Sequence, residues 1–550
     1  MSRAITYLKE KYVFIIPTVI SALLIAIDIG SRSLWLDEGA SISIASQSGH
    51  ALAAALARDG GNMLLYYLFL HVIIKFFGDG VIAMRLPALV GGVLSTLGIT
   101  VICAKLFNNL IAFASGILSS VSLPFIYWSQ NARSYTLIEA TVIWSYYFMI
   151  LVIEHSGEKK KSFWYLFGYA ACTLLGAYMS FIALLAVIPQ LLILAQFKKP
   201  IKRFIGALAI DAFLCIPLAV LAIQRGKGQL FWIPKPSLQL TTPILQFMSS
   251  AGVDNNFILN AVANDLVIQT CLLIVLTLVL GIAIFFRQRY DTQDDGKPGT
   301  KQAQARTVIY KSPHFNIGIE KKFTFGIYLM LWWLIAPFLC ILLESWLGQS
   351  IYNPKYFLPF IAPLSVLICV ILLSDIFSHN IARYICYAIF IVVLGLRLAS
   401  LIPTYGVSPE NWQQPTAYVL HYARQGDCVA FYPADTRTLV VYYMKQSGTA
   451  GINAEHTLKP ILPTVPLNLM PSYVEDYYTL TAKQISAVSG SCKRIWLVSS
   501  HQGIPNGTRV SYIHYSRFVR LYNNLARKYP GDSNAVFGWS APVDVTLFQQ

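Results

Sequence analysis

Apolar stretches long enough to cross a bilayer recur along most of this chain, and no other feature limits its fold as severely. A span needs about 20 largely apolar residues. Such stretches lie at roughly 12–29, 82–104, 108–127, 135–153, 163–179, 181–197, 204–223, 266–286, 324–345, 356–374 and 384–402, so about eleven transmembrane helices are expected. With 56% hydrophobic and 12% charged residues among 550, the chain is not a string of soluble domains. Its net charge of +16 does not point to nucleic acid, because most Lys and Arg sit in short loops between apolar stretches, where they orient helices. No A-x-A-like cleavage site follows the first stretch, which therefore reads as an uncleaved span.

The stretch Leu64–Phe77 is apolar but too short to cross, and it carries His71 and Lys75 four residues apart on one helical face. It reads as a helix lying in the membrane interface. Loop charge supports that choice. If the stretch does not cross, the loops with Lys9 and Lys11, Lys105, Lys159 to Lys161, Lys198 to Arg203 and residues 287–322 share the N-terminal side. That side then holds about 20 Lys and Arg against about eight opposite, which places it in the cytoplasm. Residues 30–81 become one external loop with interfacial helices, residues 287–323 a polar cytoplasmic loop, and everything after about 403 external.

Past 403 the long apolar runs stop. Strand-like runs at Val429–Phe431, Thr438–Tyr443 and Arg494–Ser499, with a helix over Val510–Lys528, suggest a soluble α/β domain at 403–550. Cys428 and Cys492 lie in this region, and outside the cytoplasm they are expected to form a disulfide. The expected fold class is a mainly α, polytopic membrane protein with a C-terminal extracytoplasmic α/β domain. It is expected in the inner or plasma membrane, with residues 1–402 as its transmembrane part.

Directly after the first span comes Ser33-Leu34-Trp35-Leu36-Asp37-Glu38-Gly39-Ala40-Ser41. Adjacent carboxylates at a membrane boundary are costly to keep near hydrocarbon and point to function. Two further external stretches accompany it. One is DGGNMLLYYLFLHVIIKFFGDGVIAMRLPAL, from Asp59 to Leu89, and the other is PFIYWSQNARSYTL, from Pro124 to Leu137.

In this order the three stretches resemble the GT-C integral-membrane glycosyltransferases that use lipid-phosphate sugars. That group includes the protein O-mannosyltransferases, the lipid A aminoarabinose transferase and bacterial family-39-like proteins. The similarity is close over about 12–150 and rests on topology and Asn353-Pro354-Lys355-Tyr356 over the rest of 160–402. It does not extend to the tail. Many relatives carry His-Pro-Pro where this chain has Asn62-Met63-Leu64, and a Tyr-Thr-His-Tyr-like stretch where it has Tyr178-Met179-Ser180-Phe181. The imidazoles available to a metal in those relatives are absent here.

The resemblance implies a GT-C catalytic domain over 1–402. It implies transfer of a hexosyl or pentosyl group from a polyprenyl-phosphate donor to a hydroxyl of an extracytoplasmic glycan, lipid or protein, with inversion. Asp37 matches the family's acidic position as base or cation ligand, with Glu38 as second choice or structural partner. Arg85, Arg133 and Lys355 are the candidate contacts to the donor phosphate, since a guanidinium grips phosphate with two hydrogen bonds. Asn62, Tyr66 and Gln130 are candidates to hydrogen-bond sugar hydroxyls. No cofactor follows from the sequence; a divalent cation, if used, would fall to Asp37 and Glu38. Competing readings are a transporter, which should show polar groups at mid-span and broken helices, and a ligase that moves whole lipid-linked glycans.

Overall fold

The computed structural model describes residues 2–225, 230, 233–250, 319–374, 380–408, 410–446, 458–463, 478–506, 509–538 and 541–550. The expected span at 266–286 and nearly all of the 287–323 loop lie outside the described residues. The chain is mainly helical. The first helices are α1 (Ser2–Ala26), α2 (Leu36–Ala45), α3 (Gly49–Arg58), α4 (Leu64–Phe77), α5 (Val81–Leu106), α6 (Asn109–Ser120), α7 (Leu123–Ser129) and α8 (Tyr135–Glu154). They are followed by α9 (Lys159–Met179), α10 (Val187–Gln196), α11 (Ile201–Leu214), α12 (Ile216–Arg225), α13 (Leu238–Met248), α14 (Ile319–Leu347), α15 (Leu358–Leu373) and α16 (Asn380–Leu401).

Among the described residues, five helices are long and apolar enough to cross a membrane: Val81–Leu106, Tyr135–Glu154, Lys322–Leu347, Pro354–Leu373 and Ile381–Thr404. Two bent pairs, α6 with α7 at 62° and α11 with α12 at 51°, raise the number to seven. The stretches at 12–29, 163–179 and 181–197 are helical but do not meet that test. Helix α15 is apolar on every side and buried along its whole length, so it is the central post of the bundle. Residues 30–81 fold into α2, α3 and α4, the last with the bounds read from the sequence. The turn into α4 needs Gly60 and Gly61, at φ +67° and +70°, a region where a side chain clashes. Arg225 at the end of α12 clasps this turn through Asp59, 2.7 Å away.

The tail forms helices α17 (Gln413–Tyr422), α18 (Thr436–Gln446), α19 (Ala482–Ser489) and α20 (Arg509–Lys528). Its five strands are β1 (Asp427–Tyr432), β2 (Leu458–Leu462), β3 (Arg494–Ser499), β4 (Gly531–Phe537) and β5 (Val543–Gln549), in the order β2-β1-β3-β5-β4. β1 runs parallel to β2 and β3, while β5 is antiparallel to β3 and β4. Alternate residues of a strand face opposite sides, and here each side has its own core. Cys428, Ala430 and Tyr432 pack with Leu521 and Leu525 of α20. Val429 and Phe431 join Leu439 and Val440 of α18 in the same core as the membrane helices. Cys428 and Cys492 are bonded, with Cα atoms 5.9 Å apart, as expected.

One local expectation fails. Thr438–Tyr443 is helical within α18, not a strand. Its run of β-branched and aromatic residues favours a strand, but burial at Thr436, Leu439, Val440 and Tyr443 follows the spacing of one helical face. That face packs against α2, and this contact overrides propensity.

Candidate active site

Asp37 and Glu38 occupy the first turn of α2, where the positive end of the helix dipole favours carboxylates. Their side chains diverge. Asp37 is about one-third exposed, and its Oδ2 lies 3.3 Å from Lys355 Nζ and 3.7 Å from Arg133 Nη2. Burial alone would push the Asp37 carboxyl up, but Lys355 and Arg133 together outweigh it and hold the group below the usual carboxylate range. Asp37 is therefore an ionised carboxylate held between two cations.

Glu38 is fully buried. Arg85 grips it with two prongs, Nε to Oε1 and Nη2 to Oε2, both at 2.9 Å. The Ala132 amide donates to Oε1 at 2.7 Å and the Trp35 amide to Oε2 at 3.3 Å. Arg85 spends its other donors on the carbonyls of Ile29 at 2.8 Å, Arg32 at 3.2 Å and Ser33 at 3.4 Å. All five guanidinium N–H groups are engaged and the side chain is 1% exposed. This corrects two expectations and leaves Glu38 the other role expected of it, that of structural partner. Arg85 has no donor left for a phosphate, and Glu38 has no accessible oxygen with which to act as base. Asp37 and Glu38 also do not converge as ligands, so this carboxylate pair does not form a cation site.

Gln130 is a third correction. Its amide donates to the carbonyls of Ile25 at 2.8 Å and Ile27 at 2.6 Å, and its Oε1 accepts from Arg32 Nη2 at 2.7 Å. It closes the C-terminal end of α1, where helix carbonyls need partners, and at 2% exposed it has both amide hydrogens spent inside the protein.

Arg133 and Lys355 both lie beside Asp37. Arg133 Nη1 donates to the Asp37 carbonyl at 3.1 Å and to Ser41 Oγ at 3.2 Å. Lys355 is delivered by a short 3₁₀ turn, Pro354–Phe357, in which the Lys355 amide donates to Asn353 Oδ1 at 3.2 Å. Its ammonium lies over the rings of Trp35 at 5.6 Å and Tyr135 at 5.8 Å. Tyr66 is fully buried, and its hydroxyl has no hydrogen-bond partner among the described residues. It interacts electrostatically with Arg133 and Glu38, so it belongs to this cluster. Among the described residues no hydrogen bond joins the Asn62 side chain to Asp37, Arg133 or Lys355. His71 is tied to α2 through the Ala45 carbonyl at 2.8 Å.

The tail contributes residues that no motif announced. Glu410 accepts from the Leu36 amide at 2.8 Å and the Trp412 indole at 2.6 Å, so a carboxylate from the tail caps the helix that carries Asp37. His501 Nε2 is 3.7 Å from Glu410. Tyr443 accepts from the Leu34 amide at 2.6 Å, and Ser33 Oγ accepts from the Trp412 amide at 2.9 Å. A Cβ on Gly39 would come within 2.7 Å of Leu439, so the absent side chain lets α18 sit directly on α2.

Residues 62–222 match the family model described as dolichyl-phosphate-mannose-protein mannosyltransferase. No curated protein matches the chain significantly. Several solved structures do. The apo crystal structure of ArnT from Cupriavidus metallidurans is 11% identical with a TM-score of 0.55, covering 97% of each chain. The same protein bound to undecaprenyl phosphate gives 11% and 0.50, covering 98% of each. The Archaeoglobus fulgidus oligosaccharyltransferase in complex with Zn and sulfate is 12% identical with a TM-score of 0.50, covering 89% of this chain and 68% of that one. The chain thus shares the fold of these solved structures over nearly its whole length.

Proposed function

We propose that the chain transfers a sugar from a polyprenyl-phosphate-linked donor to a hydroxyl of an extracytoplasmic acceptor, with Asp37 accepting the proton. The observation that carries this reading is the half-open trio of Asp37, Lys355 and Arg133, beside a buried phenol that lacks a partner among the described residues. In the free protein the two cations rest on the carboxylate. A donor phosphate would draw them away, because each can serve phosphate at least as well as carboxylate. Asp37 would then be a stronger base at the moment the acceptor arrives.

The transfer balances as follows. The acceptor oxygen bonds to the anomeric carbon, the bond from that carbon to the phosphate oxygen breaks, and polyprenyl phosphate leaves with the electron pair. Asp37 takes the hydroxyl proton, and Lys355 and Arg133 stabilise the departing phosphate. Attack from the face opposite the leaving group inverts the anomeric centre. A sugar or phosphate oxygen that reached the Tyr66 hydroxyl, which has no partner among the described residues, would repay the cost of burying it unsatisfied.

The family-model match and the ArnT likeness support a polyprenyl-phosphate donor. The order of basic loops supports an orientation with the site and tail outside the cytoplasm, and residues 403–550 as a distinct extracytoplasmic unit. The test is transfer of labelled sugar from synthetic polyprenyl-phosphate donors to candidate acceptors by the purified protein. Absence of both transfer and donor binding across mannosyl, glucosyl and aminoarabinosyl donors would count against the reading.

A further inference from the structure

A cavity of about 260 Å³ lies beside the loop that precedes α2, and neither Asp37, Arg133 nor Lys355 lines it. One wall is Arg32 and Val81; the other is Gln413 and Thr416 of α17 with Tyr442 and Gln446 of α18. It is thus built jointly by the membrane end of α5 and by the tail.

Arg32 is the unusual member. It is 5% exposed, yet among the described residues no carboxylate pairs with it. Its Nη2 donates to Gln130 Oε1 at 2.7 Å and to the Tyr127 carbonyl at 3.4 Å, and the guanidinium lies 4.5 Å over the Tyr127 ring. The nearby Glu38 carboxylate is consumed by Arg85. Burial pushes Arg32 down to about 10, with Arg85 adding repulsion. A buried guanidinium without a counter-charge is expensive to keep, and this one borders an open cavity. The opposite wall offers two exposed carboxamides, Gln413 and Gln446, the second of which donates to Asp79 Oδ1 at 3.4 Å. The Tyr442 hydroxyl donates to the Asp79 carbonyl at 3.0 Å and keeps its oxygen free to accept. Residues that carry a cation, two amides and an aromatic ring line this one space, a set that suits an anion with hydroxyls. The volume is just below the roughly 300–1,000 Å³ of pockets for drug-sized ligands, which fits a headgroup and not a long chain.

We propose that this cavity is a second anion site, separate from the Asp37 cluster, that holds the phosphate of a small hydroxyl-bearing headgroup. Arg32 supplies the charge, and Gln413 and Gln446 bond the phosphate ester or its hydroxyls. The phosphate can belong to a membrane phospholipid, since Val81 begins an apolar span and stands where headgroups lie, or to a soluble phosphate ester. The site does not depend on the transfer reaction.

The test uses the full chain in detergent, titrated with short-chain phosphatidylglycerol or with glycerol phosphate and read by native mass spectrometry. Arg32→Gln removes the charge but also loosens Gln130, so the deciding variants are Gln413→Glu and Gln446→Glu. Both positions are exposed, and the change places a negative charge in the cavity. Gln414→Glu adds the same charge one residue outside it. We expect the two cavity variants to weaken binding at least tenfold, with Gln414→Glu near the parent. Dependence seen only with the lipid assigns a lipid headgroup, and dependence seen with glycerol phosphate assigns a soluble ester. No binding of either probe by the parent, or equal binding by the parent and both cavity variants, overturns the site. A loss confined to Lys355→Gln moves the phosphate to the Asp37 cluster and overturns it as well.

Discussion

Arg85 holds Glu38 by two hydrogen bonds of 2.9 Å in a place no solvent reaches, while its neighbour Asp37 faces a half-open cluster of cations. Adjacent carboxylates therefore do different work. The first prediction separates them. Removing one partner of a buried ion pair typically costs about 3–5 kcal/mol, so Glu38→Gln and Arg85→Met should both lower the unfolding temperature markedly. Arg85→Lys should rescue little, because an ammonium cannot make the paired contact. Thermal unfolding in detergent measures this. An Arg85→Met protein as stable as the parent but unable to bind donor would restore Arg85 to the phosphate.

The docking of α18 on α2 gives a second prediction. Gly39→Ala places a methyl 2.7 Å from Leu439 Cγ, inside contact distance, and overpacking of this kind costs about 1–3 kcal/mol. The cost should shrink in a Leu439→Ala background, which vacates the space. A double-mutant cycle reads the coupling; additive effects would mean that α18 moves freely over α2.

Much of this was legible in the sequence because membrane segments and motif residues announce themselves. The bounds of α4 and of the strand at Arg494–Ser499 follow from their apolar runs, and the helix read over Val510–Lys528 begins one residue earlier, at Arg509. The division of labour between Asp37 and Glu38 was not legible, since both are acids in one motif and only the path of the Arg85 side chain tells them apart. Gln130 misled for a similar reason: its motif lies in the right loop, but its amide turns inward to cap α1. Glu410 lies more than 370 residues from Leu36, and no local pattern links a lone tail glutamate to a helix N-terminus. The strand-like Thr438–Tyr443 run became a helix because α2 offered a surface that only a helical face could cover.

Asp435 sets a third expectation. Burial raises its carboxyl to about 7, His501 works against that, and Glu410 and Asp37 reinforce it. Its Oδ1 has no partner among the described residues. An unfolded aspartate ionises near about 3.9, so between that value and about 7 the folded chain holds a proton that the unfolded chain has lost. Stability should fall as pH rises through this window, and the penalty is fully present above it. Asp435→Asn should therefore raise the unfolding temperature at pH 8 and change it little near pH 4. Equal shifts at both pH values would show that the side chain is ionised and satisfied.

The fourth prediction concerns the trio at the proposed site. Asp37→Asn keeps the shape and removes the proton acceptor, so turnover should fall about 10²–10⁴-fold. Donor binding should hold or tighten, because Lys355 and Arg133 lose the carboxylate that competes with phosphate for them. Lys355→Gln acts differently. It removes a cation but leaves Asp37 sheltered, so burial then pushes the carboxyl up with less to oppose it. The acid limb of kcat/KM should move to higher pH, and donor affinity should weaken because the phosphate loses a partner. Arg133→Gln should shift the limb in the same direction and by less, since Lys355 is the stronger of the two influences. Full pH profiles with a verified donor and acceptor measure all three. An acid limb that stays in place in Lys355→Gln would show that Asp37 is not the group whose titration limits transfer.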